Sequence, residues 1–387
     1  AILVDREEKI KKFVPRGYWE IHGTFAVAAG DYPGRWFDEK FSRQEGDEQL
    51  RPERGWDVKF AETLRDKCLG KPGIVTEESK PTTSLSPLLY DLTSLQRDGN
   101  SRFGFSAKNT LGLAQALYEK HKVLTYPRTD SRALPEDYVE TVKQTLGMLG
   151  GTHYGSFAGH ILQSGWVRPN KRIFNNAKVS DHFAIIPTLV APKGLSEPEQ
   201  KLTKRFLAIF YPAAEFQVTT RITRVEGEPF KSEGKVMVNA GWLAVYGKEA
   251  ETDDTPSLVP VKPNETVKTV KIEVEANVTK PPPRYSEATL LSAMEGAGKL
   301  VEDEELREAM SEKGLGTPAT RAQIIEGLIW EKYVHRNGRE LQPTAKAFSL
   351  ITLLRGLDIP QLSSPELTGD WEFKLRLMSR GKLKRED

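Results

Sequence analysis

Residues 18–28 alternate apolar and polar, with Trp19, Ile21, Phe25 and Val27 on one side and Glu20, His22 and Thr24 on the other. That period of two predicts a half-buried strand. A polar stretch from Asp38 to Asp57 follows, rich in glycine and in charge of both signs, and reads as a solvent-exposed excursion between strands. Helix is expected near Asp57–Leu69. From Ser106 the period changes, and Leu111, Ala114, Leu117 and Tyr118 recur at helical spacing with Ser106 as N-cap. This helix delivers the chain to Tyr126. A second helix from Pro135 carries Val139, Val142 and Leu146 at the same spacing.

Strand patterns return over 215–280. Phe216, Val218, Thr220 and Ile222 alternate, as do Val236 and Val238, then Val270, Ile272 and Val274, with Pro260, Pro263 and Asn264 as punctuation. Strand-rich segments at 15–60 and 215–280 therefore flank a helix-rich block at 85–205. The simplest account is one β domain interrupted by an inserted α domain that carries Tyr126. Lys280-Pro281-Pro282-Pro283 is a stiff extended linker. Beyond it come helix at Ser286–Lys299, a charged stretch at 301–313, and helix at Thr317–Lys332. In the last, Thr317 is the N-cap, Pro318 the first helical residue, and Ile324, Ile325, Leu328 and Ile329 the apolar face. Arg336-Asn337-Gly338-Arg339 then predicts a tight hairpin, giving a winged-helix-like order of helix and hairpin.

At 387 residues the chain is long enough for two to three domains. Charged residues are 28% and hydrophobic ones 38%, a globular profile with no run near the roughly 20 apolar residues of a membrane span. Cys68 is the only cysteine, which rules out internal disulfides and a cysteine zinc site and makes a reducing, cytoplasmic setting the default. Ala1-Ile2-Leu3-Val4-Asp5 lacks an initiator methionine and opens inside an apolar element, so a fragment is expected. Net charge is only +2, so affinity for nucleic acid has to come from local patches.

Candidate chemistry centres on Tyr126-Pro127-Arg128-Thr129-Asp130-Ser131. Pro127 fixes its own φ and keeps Tyr126 out of the helical region, which puts the phenol on a turn. A tyrosine hydroxyl is a nucleophile only where its proton is removed and the anion it attacks is stabilised. The fork of Arg128 suits two phosphate oxygens. An Arg128–Asp130 surface pair is the alternative. Basic side chains gather at Arg102, Lys108, Lys120, Lys122, Arg128 and Arg132, and again at Arg168, Lys171, Arg172 and Lys178, as phosphate contacts would. Trp166 and Phe174 are candidates for stacking on bases or for the core. The basic tail from Lys374 to Arg385 reads as a solvated helix end.

Leu124–Ser131 with Leu134-Pro135-Glu136-Asp137-Tyr138 resembles the active-site tyrosine motif of type IA DNA topoisomerases. Ser180-Asp181-His182-Phe183-Ala184-Ile185-Ile186-Pro187-Thr188 resembles that family's histidine motif, and Gly314–Arg321 its glycine-threonine helix start. Lys280–Leu290 resembles the entry to its last core domain, nearest the bacterial topoisomerase III branch. The resemblance implies a multidomain α+β, toroidal architecture. Its parts are a DNA-binding core domain at 1–14 and 281–387, an antiparallel β arch at 15–80 and 205–280, and a movable gate at 81–204. It makes Tyr126 the nucleophile, linked transiently to a 5′ phosphate, with Arg128 and His182 catalytic and Asp181 a candidate to orient the imidazole. Thr129, Asp130, Ser131, Lys122, Arg172, Lys178, Thr317, Thr320 and Arg321 are the implied DNA contacts. A loop within 38–57, including Gln44, Gln49 and Trp56, is a candidate contact for a second strand.

The resemblance further implies single-stranded DNA as substrate, no ATP, a monomer, a nucleoid-associated location in a bacterial cytoplasm, and Mg²⁺ held by an N-terminal TOPRIM domain. This chain has no Asp-x-Asp; its acidic groups, such as Asp253-Asp254 and Glu302-Asp303-Glu304-Glu305, lie in linkers or on a charged helix. No metal ligands are therefore expected here, and cleavage by the chain alone is not expected. A non-cleaving module that holds single strands is the alternative. An unrelated phosphodiesterase would need metal ligands that six unpaired histidines do not suggest.

Overall fold

The structure, a computed structural model, describes residues 1–43, 46–191, 197–247, 257–262, 265–301, 304–310, 314–357, 359 and 362–384. Gln44, Asp253-Asp254, Pro263-Asn264, Glu302-Asp303 and Arg385 fall outside them. The chain forms two compact units, one of residues 13–86 and 212–281 and the other of 1–12, 87–211 and 282–387.

The first unit is a closed antiparallel barrel. Its strands are β1 (Gly17–Val27), β2 (Gly30–Trp36), β3 (Pro72–Ser84), β4 (Ala214–Val225), β5 (Glu228–Asn239) and β6 (Val267–Val278), in the order β1-β2-β5-β4-β3-β6 with β6 returning to β1. Closure removes the free edges that an open sheet would leave. The β4–β5 turn is Glu226-Gly227, both at positive φ (52° and 86°), the combination whose twist matches the flanking strands. Inside lie Ile21, Phe25, Tyr32, Trp36, Val225, Phe230, Val267 and Ile272, and helix α2 (Val58–Cys68) adds Ala61, Leu64 and Cys68. Asp57 caps α2 by accepting from the Lys59 amide.

On β1 the expected inward face is the observed one. On β4 the expected face is one residue out of phase: Arg221, Thr223 and Val225 are buried, whereas Thr220 and Ile222 are not. The interior accepts Arg221 because its guanidinium lies 4.3 Å over the Tyr32 ring and its Nε donates to Glu77 at 2.8 Å. A polar inner face therefore left the apolar residues on the outer one, and Phe216 is covered there by the Lys235 ammonium. Val270 is 49% exposed because the β1–β6 register shifts between Thr24 and Phe25, skipping it; Val236 and Val238 are exposed as well. Strand β3 carries too little alternation in its sequence to be anticipated, and Gly73 is its only buried residue. The 38–57 excursion has no helix or strand among its described residues; it is tied down by paired backbone bonds between Trp19 and Gly55 and by Arg16 on Asp47.

The second unit is mainly helical: α1 (Ile2–Lys12), α3 (Leu92–Phe103), α4 (Ala107–Glu119), α5 (Val139–Leu149), α6 (Gly155–Gln163), α7 (Glu197–Ala208), α8 (Glu287–Glu295), α9 (Glu304–Met310), α10 (Pro318–Trp330), α11 (Ala345–Gly356) and α12 (Glu366–Ser379). A two-stranded hairpin, β7 (Val334–Asn337) and β8 (Glu340–Pro343), follows α10. Ser106 caps α4 as expected. In α10 the buried line is Arg321, Ala322 and Ile325, while Ile324 and Leu328 are exposed along an apolar cleft of about 450 Å³. Ile329 is half-buried, and Arg321, outside the expected apolar face, is buried because its fork donates to the Leu315 and Gly316 carbonyls.

Candidate active site

The segment from Val123 to Leu134 has no helix or long strand of its own. It is held by the 182–188 segment: the Thr125 amide donates to the Ile186 carbonyl at 3.0 Å, and the Thr188 amide to the Val123 carbonyl at 3.0 Å. The Thr125 hydroxyl donates to the Ala184 carbonyl (3.0 Å) and accepts from the Ile186 amide (2.9 Å). Further along, the Ala184 amide donates to the Ala133 carbonyl and the Leu92 amide to the Thr129 carbonyl. Two stretches 56 residues apart in sequence are thus zipped together, and that brings Tyr126 to His182.

The Tyr126 and His182 rings sit 4.2 Å apart, tilted by 41°, and Tyr118 of α4 packs edge-on against Tyr126 at 5.5 Å. Tyr126 is half-buried and His182 exposed. The Tyr126 hydroxyl has no hydrogen-bond partner among the described residues. Arg128 is exposed and, among them, makes no ion pair; in particular it does not pair with Asp130, which accepts instead from the Ser180 hydroxyl at 3.3 Å. Asp181 is exposed and makes no bond to the imidazole among the described residues.

The remaining candidates divide by burial. Thr129 and Ser131 are 2% and 4% exposed, and their hydroxyls are used inside the loop. Thr129 donates to the His182 carbonyl (3.2 Å) and accepts from the Ser131 amide (3.0 Å), while Ser131 donates to the Lys178 carbonyl (2.7 Å). Arg321 is 2% exposed and donates to the Leu315 and Gly316 carbonyls and to the Thr93 hydroxyl. Burial pushes its pKa down, against the pull of Glu295, Asp91 and Asp130. Arg172 is half-buried, and burial lowers its pKa too. Lys122, Lys178, Thr317 and Thr320 are exposed. Thr317 and Thr320 form a capping box at the start of α10, with the Thr317 amide donating to the Thr320 hydroxyl at 2.9 Å. Gly314, at φ 65°, precedes it where a Cβ would stand 2.3 Å from the Met294 carbonyl oxygen, so the motif needs glycine there.

Of the other basic residues, Arg132 is committed to Asp91 (2.9 Å) and Glu295 (3.1 Å), and Lys171 to Glu136. Phe174 is core, and Trp166 packs against His160 and Tyr211 at 4.9 Å each. The sequence reading placed Tyr118 only on a helix face; its edge-on packing on Tyr126 needs the loop to fold back. No group of three metal-capable side chains lies beside Tyr126 among the described residues.

A family profile described as DNA topoisomerase matches residues 1–387. DNA topoisomerase 3 of Bacillus licheniformis is 39% identical over 398 residues, covering 99% of this chain and 52% of the relative. DNA topoisomerase 3 of Bacillus cereus is 42% identical over 401 residues, covering 100% and 53%. The chain thus spans about half the length of the curated relatives it matches. A solved full-length topoisomerase I from Thermotoga maritima shares the fold at a TM-score of 0.71 and 22% identity, over 98% of this chain and 58% of that one. Profile, relatives and fold agree along the whole chain, which therefore belongs to the type IA DNA topoisomerases, on the topoisomerase 3 side of that family.

Proposed function

We propose that this chain is the strand-cleaving and DNA-holding body of a type IA topoisomerase, with single-stranded DNA as substrate. The observation that carries this reading is the pairing of Tyr126 with an exposed His182, with Arg128, two residues on in the same loop, exposed and free of ion pairs among the described residues. The Tyr126 oxygen attacks a phosphodiester phosphorus and loses its proton. The bond from phosphorus to the 3′ oxygen breaks, and that oxygen leaves as the 3′ hydroxyl while the 5′ phosphate stays on the tyrosine. Arg128 balances charge on the phosphate oxygens, and removing such a donor typically costs two to three orders of magnitude in rate, roughly. One ester replaces another, so religation by the reverse attack needs no ATP. The positive end of the α10 dipole suits a flanking phosphate.

Magnesium belongs to the expected reaction, but the residues around Tyr126 do not form a site for it, and no step here is routed through it. We propose that its ligands come from a TOPRIM domain outside these 387 residues; the relatives' roughly doubled length and the lack of Asp-x-Asp support this. The protein is proposed to act as a monomer in a bacterial cytoplasm. Its named relatives are bacterial, and among the described residues no helix is long and apolar enough to cross a membrane. The alternative, a module that binds strands without cutting them, is favoured by that same lack of acidic ligands at Tyr126.

The two readings separate in a covalent-trapping experiment on end-labelled single-stranded DNA with magnesium, using this chain and the complete protein. An adduct from the complete protein that disappears in Tyr126→Phe, with strand binding retained, is the expected result. Adducts that persist in Tyr126→Phe would overturn the assignment.

A further inference from the structure

Glu20, His22 and Glu275 converge on the outer face of the barrel and have no part in the proposed cleavage chemistry. Glu20 and His22 are two residues apart on β1 and so project from the same face, and Glu275 is the direct partner of Glu20 on β6. The His22 Nε2 stands 3.2 Å from a Glu20 carboxylate oxygen and 3.6 Å from one of Glu275, and the three ligand atoms all lie within 4.8 Å of one another. Tetrahedral zinc at about 2.0–2.1 Å from nitrogen and oxygen ligands sets neighbouring ligands roughly 3.3 Å apart, so the two histidine edges already have zinc-site dimensions.

A second, independent observation points to a cation. Like charges directly opposite each other on adjoining strands are destabilising, and Glu20 faces Glu275 in just that relation. One imidazole N–H cannot answer both: its bond to Glu20 is of hydrogen-bond length, whereas 3.6 Å to Glu275 is too long for one. Arg35, opposite His22 on β2, reaches Glu20 only at 3.6 Å and is shared at 3.6 Å with Glu53. The neighbouring acid, Glu273, is paired with Lys271.

We propose that Glu20, His22 and Glu275 form a binding site for a divalent transition-metal ion of the zinc type, with water in the fourth position. Neutral imidazole with two carboxylates suits such an ion better than magnesium, which prefers oxygen ligands alone. Because its ligands come from the two strands that close the barrel, the bound ion clamps the β1–β6 seam. Only the folded register assembles the three, so the ion raises the melting temperature.

The test is calorimetric titration of the metal-free 387-residue chain with zinc chloride, with magnesium chloride in parallel. One zinc ion per chain is expected, with weaker or absent magnesium binding. His22→Ala and Glu275→Gln should each weaken zinc at least 10-fold, and Glu273→Gln should leave it unchanged. The cobalt form should show the visible absorption of a four-coordinate ion in the parent chain and lose it in His22→Ala. Far-UV circular dichroism checks that the variants fold; His22 is partly exposed, so they are expected to. Lack of saturable zinc binding, or binding indifferent to His22→Ala, would overturn the proposal, with Arg35 or a protonated His22 then the resident cation.

Discussion

Thr129 holds the Tyr126 loop more directly than Tyr126 itself does. Its hydroxyl joins the His182 carbonyl to the Ser131 amide, so it couples the two motif segments. Thr129→Val keeps the shape but removes the hydroxyl, leaving the buried Ser131 amide and the part-buried His182 carbonyl without this partner. A loss of about 1–3 kcal/mol in stability is expected from denaturant titration, together with weaker covalent trapping. Cys68 makes a different residue-level prediction. It is fully buried, and burial pushes its thiol up to about 11. Iodoacetamide at neutral pH should therefore leave it unmodified until denaturant is added, as mass spectrometry would show. The resemblance of two separate motifs, not their spacing, singled out Tyr126, Arg128 and His182, and the fold brings Tyr126 and His182 into ring contact. It did not separate exposed Arg128 from buried Arg321, since burial of an arginine depends on which carbonyls the fold delivers to it.

At the level of elements, α1 is tied to the segment after the triproline linker by Glu7, which accepts from Arg284 at 2.8 and 2.9 Å. The Arg284 bond holds the Glu7 carboxyl below its usual range. A carboxylate depressed in the folded state contributes stability above its unfolded pKa of about 4.3, lost as pH falls through the folded value. Glu7→Gln should accordingly reduce stability at neutral pH and flatten its acid-side decline, as thermal melts across pH would measure. Helices α4 and α10 were legible from caps and period, and so was β1. Strand β3 was not, because its exposed face is written in Thr, Glu, Ser and Lys. The phase of β4 misled because Arg221 and Thr223, with the Tyr32 hydroxyl bonded to Thr223, make a polar interior that a hydrophobicity pattern reads as surface.

For the molecule as a whole, near-neutral charge means that the proposed strand binding would rest on a few exposed cations near the loop, among them Lys122, Arg128 and Lys178. The logarithm of the affinity for single-stranded DNA should fall linearly with the logarithm of salt, with a slope of about −0.7 per phosphate neutralised. Arg128→Ala should lower that slope by about one such unit in a fluorescence titration. The barrel's connectivity has a temporal consequence. Ser84, the last residue of β3, is the ladder partner of Ala214, the first of β4, so everything in residues 85–213 occupies the place of a hairpin turn. On the ribosome, β3 emerges and then waits while roughly 130 residues are made, on the order of ten seconds at usual elongation rates. For that interval it is an unpaired strand in a crowded cell. Its lysine, its acidic pair Glu77-Glu78 and Pro81 are the features that keep such a strand from pairing with strangers, so its polar sequence suits the nascent chain as well as the finished barrel.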